Sequence, residues 1–555
     1  MDGETRRSVD FERRDMDSGG SVPHERLPEH MLDPKTPDEV VVTDAPREPV
    51  SDSTLGIEVE VEREETPRHP LVALGDSLTH GFQSGAVHNT DLSYPAIIAH
   101  ELGCYEHFRK PAYFGFGGLP LNLEFLIREL EMDFGDRIDW WELSLAGLRA
   151  RDFMDRVEDW WERGGGASVP NLRGINHNLG VYGWDLRDTL ERTASLLEQQ
   201  LDEPEDHAFR QIVENANVRA ALRVLKSAVD GDGEALTPLG AARALGEEGS
   251  VEDSDRGDGI GTLIVFLGAN NALPSILALR VAWSDSGYDD LTKKRRFTVW
   301  RPSHFQRELE RVVEQLKEIR ARHVILCTVP HVTIAPVARG VGTKLSKGSR
   351  YFPFYTRPWT RDEDFDAKRD PHITGQEARA IDSAIDQYNE AITEVVREAR
   401  TEGRDWHLFD TAGLLDRLAA RRYIDDPLAR PHWWRRYDLP PELAALDPEP
   451  DSRFFASGPG GRTAGGLFSL DGVHPTTVAY GIVAQEMIHV MQRAGVKFYL
   501  RDGTTERTGP VRVDFRRLIS RDTLISDPPR SLTSDLRLIG WIDENLDGIV
   551  SRMLF

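Results

Sequence analysis

Residues 71–81 read LVALGDSLTHG. An apolar run stops abruptly at Gly75, and an acid, a serine, a leucine, a threonine, a histidine and a second glycine follow. A continuous apolar run of this length suits a strand buried on both faces, as in a parallel sheet. The glycine marks the turn that ends it. If the stretch is such a strand, Ser77 stands just beyond its carboxyl end, where open α/β sheets collect their ligands.

Similar runs recur along the chain. HPLVALG, from His69, contains the first, and RGINHNLG, from Arg173, is a weaker second. GTLIVFLGANN, from Gly261, is a strong third, RHVILCTVP, from Arg322, a fourth, and DWHLFD, from Asp405, a fifth. Between the third and fourth lies SHFQRELERVVEQLKEIRA, with apolar residues at helical spacing. Before the fifth lies TGQEARAIDSAIDQYNEAITEVVREAR, again amphipathic. The alternation predicts a three-layer α/β/α fold around a mostly parallel five-stranded sheet.

Around this core the sequence divides further. Residues 1–66, rich in Asp, Glu, Arg, Pro and Ser, read as a disordered acidic tail. The folded domain is expected over residues 67–495, with inserts at about 104–170, 186–258, 330–371 and 411–469, and a C-terminal extension over 496–555. The pairs Trp140-Trp141 and Trp160-Trp161 lie on stretches read as helical and are expected to pack an insert onto the body. GEEGSVEDSDRGDG, at the end of the second insert, reads as a mobile loop. FGFGGLPLNLEFLIREL, from Phe114, is either a flap over the site or an ordinary docked helix after a loop. The terminal DENLDGIVSRMLF starts like a calcium loop at Asp543, Asn545, Asp547 and Gly548, but its twelfth position is Leu554 rather than Glu. It reads instead as a helix cap followed by an amphipathic helix.

A hydrophobic fraction of 39% supports a real core, while the formal charge of −25 argues against nucleic acid or an anionic membrane surface as a partner. Cys104 and Cys327 are too few for a disulfide framework or a four-cysteine metal site. No stretch resembles a signal peptide or is apolar enough to span a membrane, so a soluble, cytoplasmic location is expected. Oligomeric state is not legible.

The chemistry gathers after the strands. After the first stands Gly75-Asp76-Ser77-Leu78. After the second stands NLGVYGWD, from Asn178, and after the third Gly268-Ala269-Asn270-Asn271. Beyond the fifth the chain reaches Asp471-Gly472-Val473-His474 and then a helical run, VAYGIVAQEMIHVM. Each piece alone is weak, since a serine after a strand usually caps a helix and an asparagine after glycine is often a turn residue. Together they compose a serine hydrolase. Ser77 supplies the hydroxyl and His474 can take its proton. Asp471 can hold the imidazole in the required tautomer. The Ser77 amide, the Gly183 amide and the Asn270 side chain can donate to the tetrahedral oxyanion.

These four blocks, in this order, resemble those of the GDSL, or SGNH, hydrolase family. Ser77 matches its nucleophile and Asp-x-x-His matches Asp471 and His474. Gly-x-Asn-Asp matches GANN with Asn270. The glycine block matches NLGVYGWD, with Gly183 the better positional match and Gly180 the alternative. The resemblance implies a flavodoxin-like core, no metal and no organic cofactor. NLGVYGWDLRD together with FLGANN is loosely similar to the phospholipase B-like branch. Asn271 stands where the family usually has Asp. The expected function is a serine-dependent esterase or lipase working through an acyl-enzyme on a small-molecule or lipid ester. An acyltransferase using the same intermediate, and a catalytically silent member serving as a binding module, are the alternatives.

Overall fold

The computed structural model describes residues 27, 31–61, 66–139, 141–170, 173–201, 213–249, 256–532 and 540. Five strands form the central sheet: β1 (Thr66–Gly75), β2 (Asn178–Gly180), β3 (Arg256–Phe266), β4 (Ala321–Cys327) and β5 (Trp406–Phe409). Their spatial order is β5-β4-β3-β1-β2, and every pairing is parallel. Leu74 is in register with Val265 on one side, and Gly75 with Gly180 on the other. The strands therefore deliver Ser77, Gly183 and Asn270 to the same edge of the sheet.

Helices cover both faces: α1 (Ser77–His80), α2 (Tyr94–Glu101), α3 (Leu123–Phe134), α4 (Leu143–Glu162), α5 (Ala216–Leu225), α6 (Pro302–Leu316), α7 (Gly375–Thr401), α8 (Thr411–Leu418) and α9 (Thr477–Arg493). Successive strand residues point to opposite faces. Val72, Leu74, Leu263 and Val265 accordingly join one core with Phe305 and Leu309 of α6 and Ile381 and Ile385 of α7. Leu71, Ala73, Ile264 and Phe266 join a second core with Ile97 of α2 and Ile482 and Met487 of α9. Two separate cores on one sheet explain why the strand sequences are apolar throughout rather than alternating. At the start of α7, Thr374 and Glu377 form a reciprocal cap in which each side chain accepts from the other's backbone N–H.

Several expectations need correction. The stretch read as a disordered tail is ordered over residues 31–61: Val40 and Val42 are buried in the main core. Its backbone is held by Gln387 and Ser383 of α7, and the Ser53 carbonyl accepts from the Leu408 N–H on the outer edge of β5. The three consecutive valines Val40–Val42, of which the first and third are buried, are too short a run to stand out in the sequence, and a covered edge strand is the structural return. Residues 1–26, 28–30 and 62–65 lie outside the described residues. The weak second run pairs over only three residues, because the amides of His177 and Asn178 both donate to the Arg109 carbonyl instead of a strand. In the run read as a mobile loop, Arg256 and Gly257 already pair with Thr66 and Pro67 of β1. Residues 250–255 of that run lie outside the described residues.

The segment from Phe114 is docked rather than a flap over the site. Leu119 is fully buried, and Leu119–Pro120 pairs with Ala86–Val87, which pairs in turn with Phe82–Gln83, in a small antiparallel sheet. Trp161 of α4 is buried as expected and lies under the Arg223 guanidinium, whereas Trp141 precedes α4 in a turn and is 63% exposed. Trp140 and the calcium-loop-like Asp543–Leu554 stretch lie outside the described residues. The extension folds back: Val511, Val513, Phe515 and Leu518 complete the second core, and Asp522 Oδ2 accepts from the Val478 N–H in the first turn of α9. Among the described residues no helix is long and apolar enough to cross a membrane.

Candidate active site

Ser77 opens α1, directly beyond β1. The turn is tight enough to demand glycine: a Cβ on Gly75 would stand 1.9 Å from Thr79 Oγ1 and 2.8 Å from the Phe266 carbonyl. Asp76 caps the helix by accepting from the Leu78 N–H at 3.1 Å. On the other side, Asp471 and His474 sit in the loop before α9, three residues apart.

The three side chains meet. Ser77, Asp471 and His474 are all buried. His474 Nε2 lies 2.8 Å from Ser77 Oγ, and His474 Nδ1 lies 3.0 Å from Asp471 Oδ2. A carboxylate beside Nδ1 keeps the proton there, leaving Nε2 as the acceptor for the Ser77 hydroxyl. Asp471 is itself well supported. Its Oδ1 accepts from the N–H groups of Val473 and His474 at 2.8 and 2.9 Å, and its Oδ2 from Gly85 N–H at 3.0 Å. Burial opposes its ionisation, but the adjacent His474 and these donors outweigh that and hold its carboxyl below the usual range. The Phe82 ring rests against the imidazole at a centroid distance of 4.5 Å.

Phe82 and Gly85, together with Ser84 and Ser469, are the residues that sequence reasoning missed. The Ser84 N–H donates to Ser469 Oγ at 2.8 Å, and Ser84 adopts φ +52°, so the loop after α1 is latched to the loop carrying Asp471. The string FQSG offers only a turn signal.

The residues expected to donate to an oxyanion also reach this edge. Asn270 follows β3, is nearly buried, and donates from Nδ2 to the Trp184 carbonyl at 2.9 Å, which leaves the second hydrogen of that amide for a ligand. Gly183 follows β2 with φ +73°, a left-handed conformation that favours glycine. Gly180, the alternative, instead lets β2 approach α1, since a Cβ there would lie 2.7 Å from the His80 backbone nitrogen. Asn271 is fully buried, and among the described residues its side-chain Oδ1 and Nδ2 have no partner. A carboxylate at that position would be an unpaired buried charge, whereas an amide carries none. Asp76 is also fully buried, and burial pushes its carboxyl up to about 7.

Space opens on two sides. An apolar cavity of about 110 Å³ is lined by Leu78, Val473 and Pro475, which flank Ser77 and His474, and by Phe266, Leu414 and Leu418. A wider polar cleft of about 510 Å³ includes Gly183, Asn270 and Trp184. Lys294, clamped between Asp185 and Asp188 at 2.5 and 2.6 Å, also lines it. At the opposite end of the sheet, His323, Asp405 and His407 lie within metal-ligand reach of one another, but Arg400 Nη1 pairs with Asp405 Oδ1 at 3.1 Å and takes up its charge.

A family model described as GDSL-like Lipase/Acylhydrolase matches residues 71–487. No curated protein matches the chain.

Proposed function

The chain belongs to the GDSL-like lipase/acylhydrolase family, and from that premise we propose that it hydrolyses carboxylic esters through an acyl-enzyme on Ser77. The observation that carries the reading is the continuous contact from Asp471 Oδ2 through both nitrogens of His474 to Ser77 Oγ, at 3.0 and 2.8 Å. As Oγ attacks the ester carbonyl, His474 Nε2 takes its proton, and Asp471 stabilises the imidazolium. The carbonyl oxygen becomes an oxyanion, met by the N–H groups of Ser77 and Gly183 and by Asn270 Nδ2. His474 then gives its proton to the departing alcohol oxygen. Water, deprotonated by the same nitrogen, attacks the acyl carbon, and the acid leaves as Ser77 recovers its hydrogen.

The two spaces support a division of the substrate. The apolar cavity between Leu78, Val473 and Pro475 suits a short acyl chain, and the polar cleft beyond Gly183 suits the alcohol part. The test is hydrolysis of nitrophenyl esters of increasing acyl length by the wild type and Leu418→Trp, whose larger side chain shortens the apolar cavity. The reading expects the preferred acyl length to shorten in Leu418→Trp. An identical length profile would contradict the assignment.

A further inference from the structure

We propose that Asn217, which grips the Tyr182–Gly183 peptide, and His80, which holds the peptide before it, are positioning residues that aim the Gly183 N–H at the oxyanion. The inference rests on the reading of Gly183 as an oxyanion donor. In a trans peptide the C=O of one residue and the N–H of the next lie in one plane and point in opposite directions. Whatever grips the Tyr182 carbonyl therefore fixes where the Gly183 N–H points.

Asn217, in α5 of the second insert, is that grip. Its Nδ2 donates to the Tyr182 carbonyl. The orientation of its amide is settled by a second bond, since Trp184 Nε1, which can only donate, gives its hydrogen to Asn217 Oδ1 at 3.1 Å. A donor on the carbonyl also polarises the peptide and strengthens the N–H at its other end.

His80 holds the preceding N–H. The Tyr182 N–H donates to His80 Nδ1 at 3.1 Å, so that nitrogen is the unprotonated one. Nε2 must then carry the hydrogen, which it donates to Tyr113 OH at 2.6 Å, and Tyr113 in turn donates to the Ala220 carbonyl at 3.0 Å. Every direction in the chain follows from the first bond. Burial pushes His80 down to about 3, so the acceptor persists at any working pH. The short helix that presents Ser77 thus also carries the acceptor that holds the oxyanion loop.

The test is steady-state kinetics on a nitrophenyl ester, with inhibition by an alkyl boronic acid as a mimic of the tetrahedral adduct, for Asn217→Asp, His80→Leu and His80→Asn beside the wild type and Ser77→Ala. Asn217→Asp keeps the shape and the acceptor for Trp184 but loses the donor to Tyr182. His80→Asn keeps an acceptor near the Nδ1 position. The expected result is a fall in kcat of tenfold or more in Asn217→Asp and His80→Leu. KM stays within about twofold, boronate affinity falls in parallel with kcat/KM, and His80→Asn recovers most of kcat. Thermal unfolding identifies any variant that fails to fold, and the isosteric Asn217→Asp decides the matter if His80→Leu does not. Wild-type kcat in folded Asn217→Asp, or a loss seen in KM alone, overturns the proposal. If Ser77→Ala is inactive in that experiment, the hydrolase reading stands without the clamp; if Ser77→Ala keeps full activity, the hydrolase reading itself falls.

Discussion

Two buried histidine–aspartate clusters sit at opposite ends of one sheet. At the carboxyl ends of the strands, His474 pairs with Asp471 through one nitrogen and meets a serine hydroxyl with the other. At the amino ends of β4 and β5, Asp405 accepts from His323 at 2.6 Å, from His407 at 3.0 Å and from Arg400 at 3.1 Å. The side chains are comparably buried. What separates them is the company they keep. The first imidazole has a hydroxyl in reach and an apolar cavity bordered by its chain neighbours Val473 and Pro475. In the second cluster the charge of Asp405 is consumed by three donors, and Arg400 extends the brace to the carbonyls of Trp406 and Ile57. A histidine–aspartate contact is thus glue unless its free nitrogen faces something that reacts.

The comparison breaks first at the carboxylates. Asp471→Asn is expected to lower kcat/KM by roughly 10³–10⁴-fold with the fold intact. Asp405→Asn is expected to leave kcat/KM within about twofold and instead lower Tm, because it leaves Arg400 and two imidazoles without their shared partner, at a cost of about 3 kcal/mol. A large activity loss in Asp405→Asn would erase the distinction. At the active end, Asn270→Ala is expected to lower kcat about 10²–10³-fold, measured beside KM on the same ester. At the braced end, deletion of residues 1–61 removes the Ser53 carbonyl from the β5 edge, the Ile57 carbonyl from the Arg400 guanidinium, and Val40 and Val42 from the core. The expected outcome is a lower Tm and concentration-dependent aggregation, read by light scattering.

Acid provides the finest discrimination, since the two ends respond with opposite sign. Burial holds the Asp76 carboxyl up at about 7, above its unfolded value near 3.8, so its cost to stability grows as pH rises from about 4 to 7. Burial also opposes ionisation of Asp405, but its bonds to His323 and His407 prevail and depress it, so its contribution is present above pH 4 and lost as pH falls below that. In denaturant unfolding between pH 3 and 8, Asp76→Asn should gain on the wild type as pH rises, by on the order of 4 kcal/mol. The penalty of Asp405→Asn should shrink toward low pH. Parallel curves for all three proteins would contradict this assignment.

Much of the molecule was legible because its signals are local. The five apolar runs mark the five strands, since a sheet covered on both faces needs apolar residues at every position. The blocks around Ser77, Asn270 and His474 each follow a strand or lead into a helix. What the sequence hid depends on partners far along the chain. Val40 and Val42 stand in a run of only three valines, too short to read as a strand, and the rest of the arm is held by its backbone. Asn217 looks like any polar residue of an insert until Tyr182 and Trp184 surround it. Ser84 and Gly85 read as a turn, and only the fold shows that they brace Asp471. Leu119 is punctuated by glycines and proline like a flap, yet a three-stranded sheet buries it.

The most direct measurement of the central claim is the rate of nitrophenyl acetate hydrolysis by the wild type and by Ser77→Ala, with circular dichroism confirming that both are folded. The account predicts measurable turnover that falls by at least about 10⁴-fold in the variant. A folded Ser77→Ala that turns over at the wild-type rate would contradict it.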